Sequence, residues 1–309
     1  MALHKNDKIL AVILAVVGAA GVFYLAGSAP IGTRTNAVAD PKAPKLGTSW
    51  VGQTANYQVT SWATVDQTTQ VGSNAEGLLR AYLQFFALDD KAVPKGGLKL
   101  TLYRNRDQFK QRHPEPSWAE AVYTRGVSYA YFDAKAPKAS HWMIHEATHQ
   151  LNEQVGHTPK DKWVNEGLAS YFGASKLEDY TLTPGTIEAD AYPVWWLDEL
   201  RPTGDMAKDV AAGRVVPLRA LITGEGGPDI NANPNPWYVG YFSLTHFLLH
   251  GLNGKYAPGY RKLLAGKSAT LADFEREIGP VDAIQAEWYA YLKDLKPTGG
   301  EGGNVIVVQ

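Results

Sequence analysis

The sequence predicts an α+β fold: a small mixed β-sheet followed by a mainly helical C-terminal part. Three observations carry that expectation. The stretches Tyr57 to Val65, Leu98 to Tyr103 and Gly126 to Phe132 are rich in β-branched and aromatic residues and read as strands. From Ser140 onward the apolar residues recur almost entirely at helical spacing. Strands first and helices later is the α+β order. The 309 residues are 45% hydrophobic and 20% charged, enough apolar material for a buried core, which excludes wholesale disorder and a coiled coil.

Taken in order, the chain opens with Lys5 and Lys8 ahead of an unbroken apolar run, Ile9 to Ala26. A basic flank before such a run is an export signal, and 18 residues also suffice for a single membrane span. Residues 1–27 are therefore expected to be a signal peptide or an N-terminal membrane anchor, with the remainder extracytoplasmic: periplasmic, secreted or tethered. Residues 28–47 hold Pro30, Pro41 and Pro44 among Gly, Ser and Thr and read as a flexible linker. One domain is expected over 48–296. Residues 297–309, with Gly299-Gly300-Glu301-Gly302-Gly303, read as a disordered tail.

Inside that domain, Ser73-Asn74 is the expected start of a helix running through Leu79, Tyr82 and Phe86. A strand, a helix and a strand in succession imply parallel pairing of the first two strands. A short helix is expected from Arg106 to His113. Ser140 is the expected N-cap of the helix that follows, Asp161 that of the next, and Gly173 its C-cap.

Charge and cysteine content narrow the chemistry. Thirty Lys and Arg against 31 Asp and Glu leave no cationic excess for nucleic acid. With no cysteine there are no disulfides, thiol nucleophiles, lipoprotein anchor or Cys-ligated zinc. Any metal must be held by His and carboxylates. The expected helix from Ser140 carries His145-Glu146-Ala147-Thr148-His149. Residues four apart share one helix face, so both imidazoles can reach one zinc ion, with Glu146 beside them to take a proton from a zinc-bound water. Glu166 follows His149 by 17 positions, in the segment KDKWVNEGLASYFG. A catalytic zinc takes three protein ligands and keeps a position open, and Glu166 would complete a His2Glu set. Gly156 and Pro159 let the chain turn between the two helices.

HEATHQL followed by WVNEGLASYF resembles the gluzincin metallopeptidases of the peptidase-MA-like group. The second motif is similar to the WLNEGFA segment of aminopeptidase-N-type enzymes. The resemblance covers roughly residues 98–290 and implies a zincin-like fold, Zn2+ held by His145, His149 and Glu166, and Glu146 as general base. The segment YVGYFSLTHFLLHG resembles a later helix of that group and brings Tyr238 to the family's oxyanion-stabilising tyrosine, with Tyr241 as the alternative. The interval from His149 to Glu166 is slightly shorter than in aminopeptidase-N-type enzymes, and their GxMEN motif is absent. Nothing therefore implies exopeptidase specificity, and an endopeptidase is expected.

The expected activity is hydrolysis of peptide bonds in a peptide or protein substrate. The alternative is a catalytically weak or inactive zincin-like module that binds cell-envelope polymer or a partner protein. The strand Gly126 to Phe132 is a candidate sheet edge for pairing with an extended peptide. His141 is expected at the surface or behind a ligand, His157 in the turn near the site, and His246 and His250 in or near the core. For Trp195 and Trp196 ordinary core and rim packing is the favoured reading, the alternative being that one lines a substrate cleft while the other packs.

Overall fold

The computed structural model describes residues 47–136 and 138–298, together with the backbone of two short strands, β1 (Ile13–Ala15) and β2 (Val22–Tyr24). The linker and tail expected over 28–47 and 297–309 lie almost wholly outside the described residues, and so does the leader apart from β1 and β2. Among the described residues no helix is long and apolar enough to cross a membrane. The chain divides into two compact units, 1–150 and 151–309.

The first unit is built on a mixed sheet. Five of its strands are β3 (Trp50–Gln53), β4 (Tyr57–Ser61), β5 (Leu98–Tyr103), β6 (Val122–Thr124) and β7 (Val127–Tyr131), and β1 and β2 continue it beyond β3. The strand order is β1-β2-β3-β4-β5-β7-β6. β4 pairs parallel with β5, with Val59 opposite Leu100, as the strand–helix–strand order implied. β5 pairs parallel with β7, and β6 returns antiparallel along β7. The edge is therefore β6, and the strand expected there, Gly126 to Phe132, is an inner one. Arg125 and Gly126, both at positive φ, make the tight turn that folds β6 back over it.

The crossover between β4 and β5 is α1 (Val65–Phe85). It begins at Thr64, eight residues and more ahead of the expected start at Ser73-Asn74. The Thr64 side chain accepts from the Gln67 amide, and the Gln67 side chain accepts from the Thr64 amide, a reciprocal cap that satisfies two orphan N–H groups. Val71, Ala75, Leu78, Leu79 and Tyr82 form its buried face, and Val59, Leu100 and Leu102 of the strands are buried as well. Each valine or leucine side chain removed from water in this way contributes about 1.5–3 kcal/mol. α2 (Arg106–Arg112) follows β5 and adds Phe109 to an aromatic cluster with Tyr103 and Tyr131.

α3 (His141–Gln154) starts after the first unit's sheet and runs across the 150/151 boundary. In the second unit come α4 (Lys162–Gly173) and an antiparallel hairpin of β8 (Ser175–Glu178) and β9 (Thr181–Ile187), turned at positive φ by Asp179 and Tyr180. The hairpin corrects the expectation that the chain is almost wholly helical after Ser140. α4 runs through Gly173, with Ala174 as its C-cap. Helices α5 (Met206–Ala211), α6 (Leu218–Thr223), α7 (Asn235–His250), α8 (Ala257–Leu264), α9 (Leu271–Glu277) and α10 (Val281–Asp294) complete the unit.

α7 is its centre: every residue from Pro236 to Leu249 is buried. α4 crosses it closely at Gly167. A Cβ there would collide with Thr245 Oγ1 and come 3.2 Å from the Tyr241 carbonyl oxygen, so only glycine permits the approach. Trp163 of α4 and Trp288 of α10 each donate their indole N–H inside this core, to Ala269 O (2.7 Å) and Ser243 Oγ (3.1 Å).

Candidate metal centre

α3 is fixed in the first unit by three polar ties. Asn74 Nδ2 of α1 donates to Ser140 Oγ at 2.9 Å, at the head of the helix. Ser128 Oγ of β7 donates to the Glu146 carbonyl at 3.0 Å. Gln150 Nε2 donates to Lys99 O (3.2 Å) and Gly126 O (2.8 Å) at the starts of β5 and β7. Ser140 does precede the first helical residue, but its hydroxyl is engaged with Asn74. These bonds hold the one helix turn that carries His145, Glu146 and His149.

The spacing of four does what it should. The His145 and His149 rings lie 4.9 Å apart at 80°, one turn from each other on the same face. Both are buried, and so is Glu146 between them. In the second unit, Glu166 is half-buried on α4. Asn152, one turn beyond His149, donates through Nδ2 to Asn165 Oδ1 at 3.0 Å, which ties the end of α3 to the residue before Glu166. Asp161 does not cap α4 with its side chain; that carboxylate accepts from the Ala269 amide at 2.7 Å and anchors the helix start.

His145, His149 and Glu166 each offer one ligand atom, and these atoms all lie within 4.8 Å of one another. This group can hold a metal ion. Nitrogen and oxygen donors about 2.1 Å from one tetrahedral ion stand about 3.4 Å apart. Two imidazoles and a carboxylate suit a borderline divalent ion, and with no cysteine in the chain no thiolate competes for the role.

Among the remaining histidines, His141 is buried, which removes the surface alternative and leaves the one behind a ligand: its Nδ1 lies 2.6 Å from the Lys138 carbonyl oxygen and burial lowers its pKa. His157 is exposed at positive φ in the turn between α3 and α4. His246 is buried in the second unit's core and His250, half-buried, lies beside it, as expected. His246 lies 2.6 Å from Tyr291 OH and 3.0 Å from Gly185 O, and His250 lies 2.8 Å from Tyr171 OH.

The tyrosines around Glu166 include one that sequence reasoning missed. Tyr238 and Tyr241 are both buried on α7, with ring centroids 6.1 Å apart. The phenol of Tyr241 is raised by burial and then by the charge of Glu166. Tyr192 is raised by the same two causes in the same order, so its hydroxyl also feels Glu166. Its ring packs 5.3 Å from Tyr238 and its OH lies 3.5 Å from Asn235 Oδ1 at the head of α7. Nothing local in Ala191-Tyr192-Pro193 signals this placement, which arises from the path of the loop after β9.

A family model described as "Protein of unknown function (DUF1570)" matches residues 140–263. The matched stretch begins at Ser140 and includes all three residues of the metal group as well as Glu146, Tyr192, Tyr238 and Tyr241. No curated protein matches the chain.

Proposed function

We propose that the protein is a zinc-dependent metallopeptidase of gluzincin type, with a zincin-like fold and endopeptidase activity on a peptide or protein outside the cytoplasm. The observation that carries this reading is the convergence of His145, His149 and Glu166 donors within 4.8 Å, two of them on the helix turn that also bears Glu146. When bound, zinc supplies Lewis acidity and a water whose pKa falls toward about 7.

The chain's own residues do the rest. His145, His149 and Glu166 would hold the ion. Glu146 takes the proton of the attacking water and returns it to the leaving amine. Tyr238, with Tyr241 as the alternative, donates a hydrogen bond to the oxyanion; burial and the Glu166 charge keep the Tyr241 phenol protonated at neutral pH, as a donor must be. An intact Glu146 favours catalysis over a purely structural metal, which would need a fourth ligand and no base.

The test is metal analysis of the full chain coupled to cleavage of a peptide library with and without a zinc chelator. One zinc per chain and chelator-sensitive cleavage are expected. Glu146→Gln should retain the metal and lose about 100-fold or more of the activity, the usual worth of a general base. Zinc without turnover on any peptide would instead support the non-catalytic zincin-like module.

A further inference from the structure

Among the described residues, Trp195 and Leu252 are the large hydrophobic side chains left exposed. Leu252 sits in a turn at positive φ. Trp195 is different. It lies in a single 3-10 turn, Val194–Trp196, held from both sides: Val194 and Leu197 are buried at 2% and 4% exposure, while Trp195 between them is 44% exposed. The Val194 amide donates to Ala191 O at 2.7 Å and the Leu197 amide to Val194 O at 2.9 Å. The turn is thus anchored by its aliphatic residues, and the indole is presented outward on a fixed base.

That indole is the outer end of a row of rings. Trp195 packs edge-on to Tyr192 at 5.7 Å and 64°, and Tyr192 packs on Tyr238 at 5.3 Å. At the inner end, Tyr192 and Tyr241 both lie in the field of Glu166. The exposed indole is thus linked through the half-buried ring of Tyr192 to Tyr238, which is buried on α7. In an extended peptide, residues i and i+2 are about 6.8 Å apart on one face. A substrate side chain within two residues of one touching Tyr192 consequently reaches Trp195.

We propose that the exposed face of Trp195 is a specificity subsite that takes a large apolar or aromatic side chain of a peptide substrate. The proposal rests on the hydrolytic reading of the metal group and adds to it a substrate class. An indole face buries more apolar area than any other side chain and stacks on other rings, so it selects such side chains over alanine or glycine. Tyr192 backs the indole and keeps it from folding away.

Binding tests this apart from turnover. Full-length Glu146→Gln protein, loaded with zinc, is titrated calorimetrically with blocked heptapeptides of Ala and Gly that carry one central Phe or none. Trp195→Ala is added to the same background. The Phe peptide should bind about 10-fold more tightly than the peptide without Phe, and Trp195→Ala should abolish that preference while zinc content stays unchanged. Equal affinities for the two peptides, or a preference that survives Trp195→Ala, would overturn the proposal. So would a selective loss of binding to N-acetylglucosamine oligomers in Trp195→Ala with the peptides unaffected, since the occupant would then be a sugar. Failure of the wild-type protein to cleave any peptide counts against the hydrolytic reading alone and leaves the binding comparison decisive for Trp195.

Discussion

Acidification should weaken the second unit through one histidine. His246 is buried on α7, and its two ring nitrogens are both engaged: Nε2 lies 3.0 Å from the Gly185 carbonyl and Nδ1 2.6 Å from Tyr291 OH. A carbonyl only accepts, so Nε2 carries the proton and donates, and Nδ1 accepts from the tyrosine. Burial pushes the pKa of His246 down from 6.5 to about 4, helped by His250, whose ring is 4.6 Å away, and opposed by the Gly185 carbonyl. Above pH 6.5 the folded and unfolded chains both hold this ring neutral, and its contribution is fully present. As pH falls from 6.5 to about 4, the unfolded chain takes up a proton that the folded chain refuses, so stability is lost through this window and levels off below it. At about 1.4 kcal/mol per pH unit the loss comes to roughly 3 kcal/mol. The assay is urea unfolding of chelator-treated protein, followed by tryptophan fluorescence at several pH values from 7.5 to 4, for wild type and His246→Gln. Glutamine keeps a donor and an acceptor but does not titrate, and the difference between the two proteins cancels most other groups. That difference should shift by roughly 3 kcal/mol across the window in favour of the variant. A difference that stays flat with pH would refute the reasoning.

Other substitutions follow from contacts already described. Gly167→Ala should force α4 off α7 and cost about 1–3 kcal/mol by overpacking, with weaker zinc binding because Glu166 moves with the helix; thermal unfolding and a zinc titration check both effects. Asn152→Ala should remove the 3.0 Å bond to Asn165, cost about 1 kcal/mol and raise the zinc dissociation constant, read by competition with a chromophoric chelator. Gln150→Leu should leave the carbonyls of Lys99 and Gly126 without their buried donor, at about 1–3 kcal/mol in urea unfolding. Thr64→Ala should cost about 1 kcal/mol by opening the cap of α1, with no change in metal content.

The metal group was legible because its logic is local. Two histidines at a spacing of four must share a helix face, and α3 and α4 formed where their apolar residues predicted, with Trp163, Val164, Leu168 and Phe172 all buried. The parallel pairing of β4 and β5 followed from the strand–helix–strand order for the same reason. The start of α1 was misread because its first turn, Val65-Asp66-Gln67-Thr68, lacks a clear apolar period, although Thr64 and Gln67 carry a capping signature three residues apart. The hairpin of β8 and β9 was missed because Pro184 and Gly185 inside β9 read as a turn. Gly185 is there for another reason: a Cβ would press on His250 and on Tyr171 OH. β6 was missed because three residues are too few for a period, and its presence moved the sheet edge. Tyr192 reaches Glu166 only through the tertiary path of a loop, and no spacing rule encodes that.

The complete burial of α7 has a consequence for how metal binding can be followed. A helix enclosed from Pro236 to Leu249 cannot fray or open by itself, so its amides exchange with deuterium only when the whole second unit opens. An ion that binds the folded protein alone makes such opening rarer in proportion to its concentration over its dissociation constant. Peptide fragments from residues 235–250 should therefore slow in exchange when zinc is added, although none of their residues belongs to the metal group. Exchange along this helix turns occupancy of Glu166 into a measurable clock, one that runs whether or not a substrate is known.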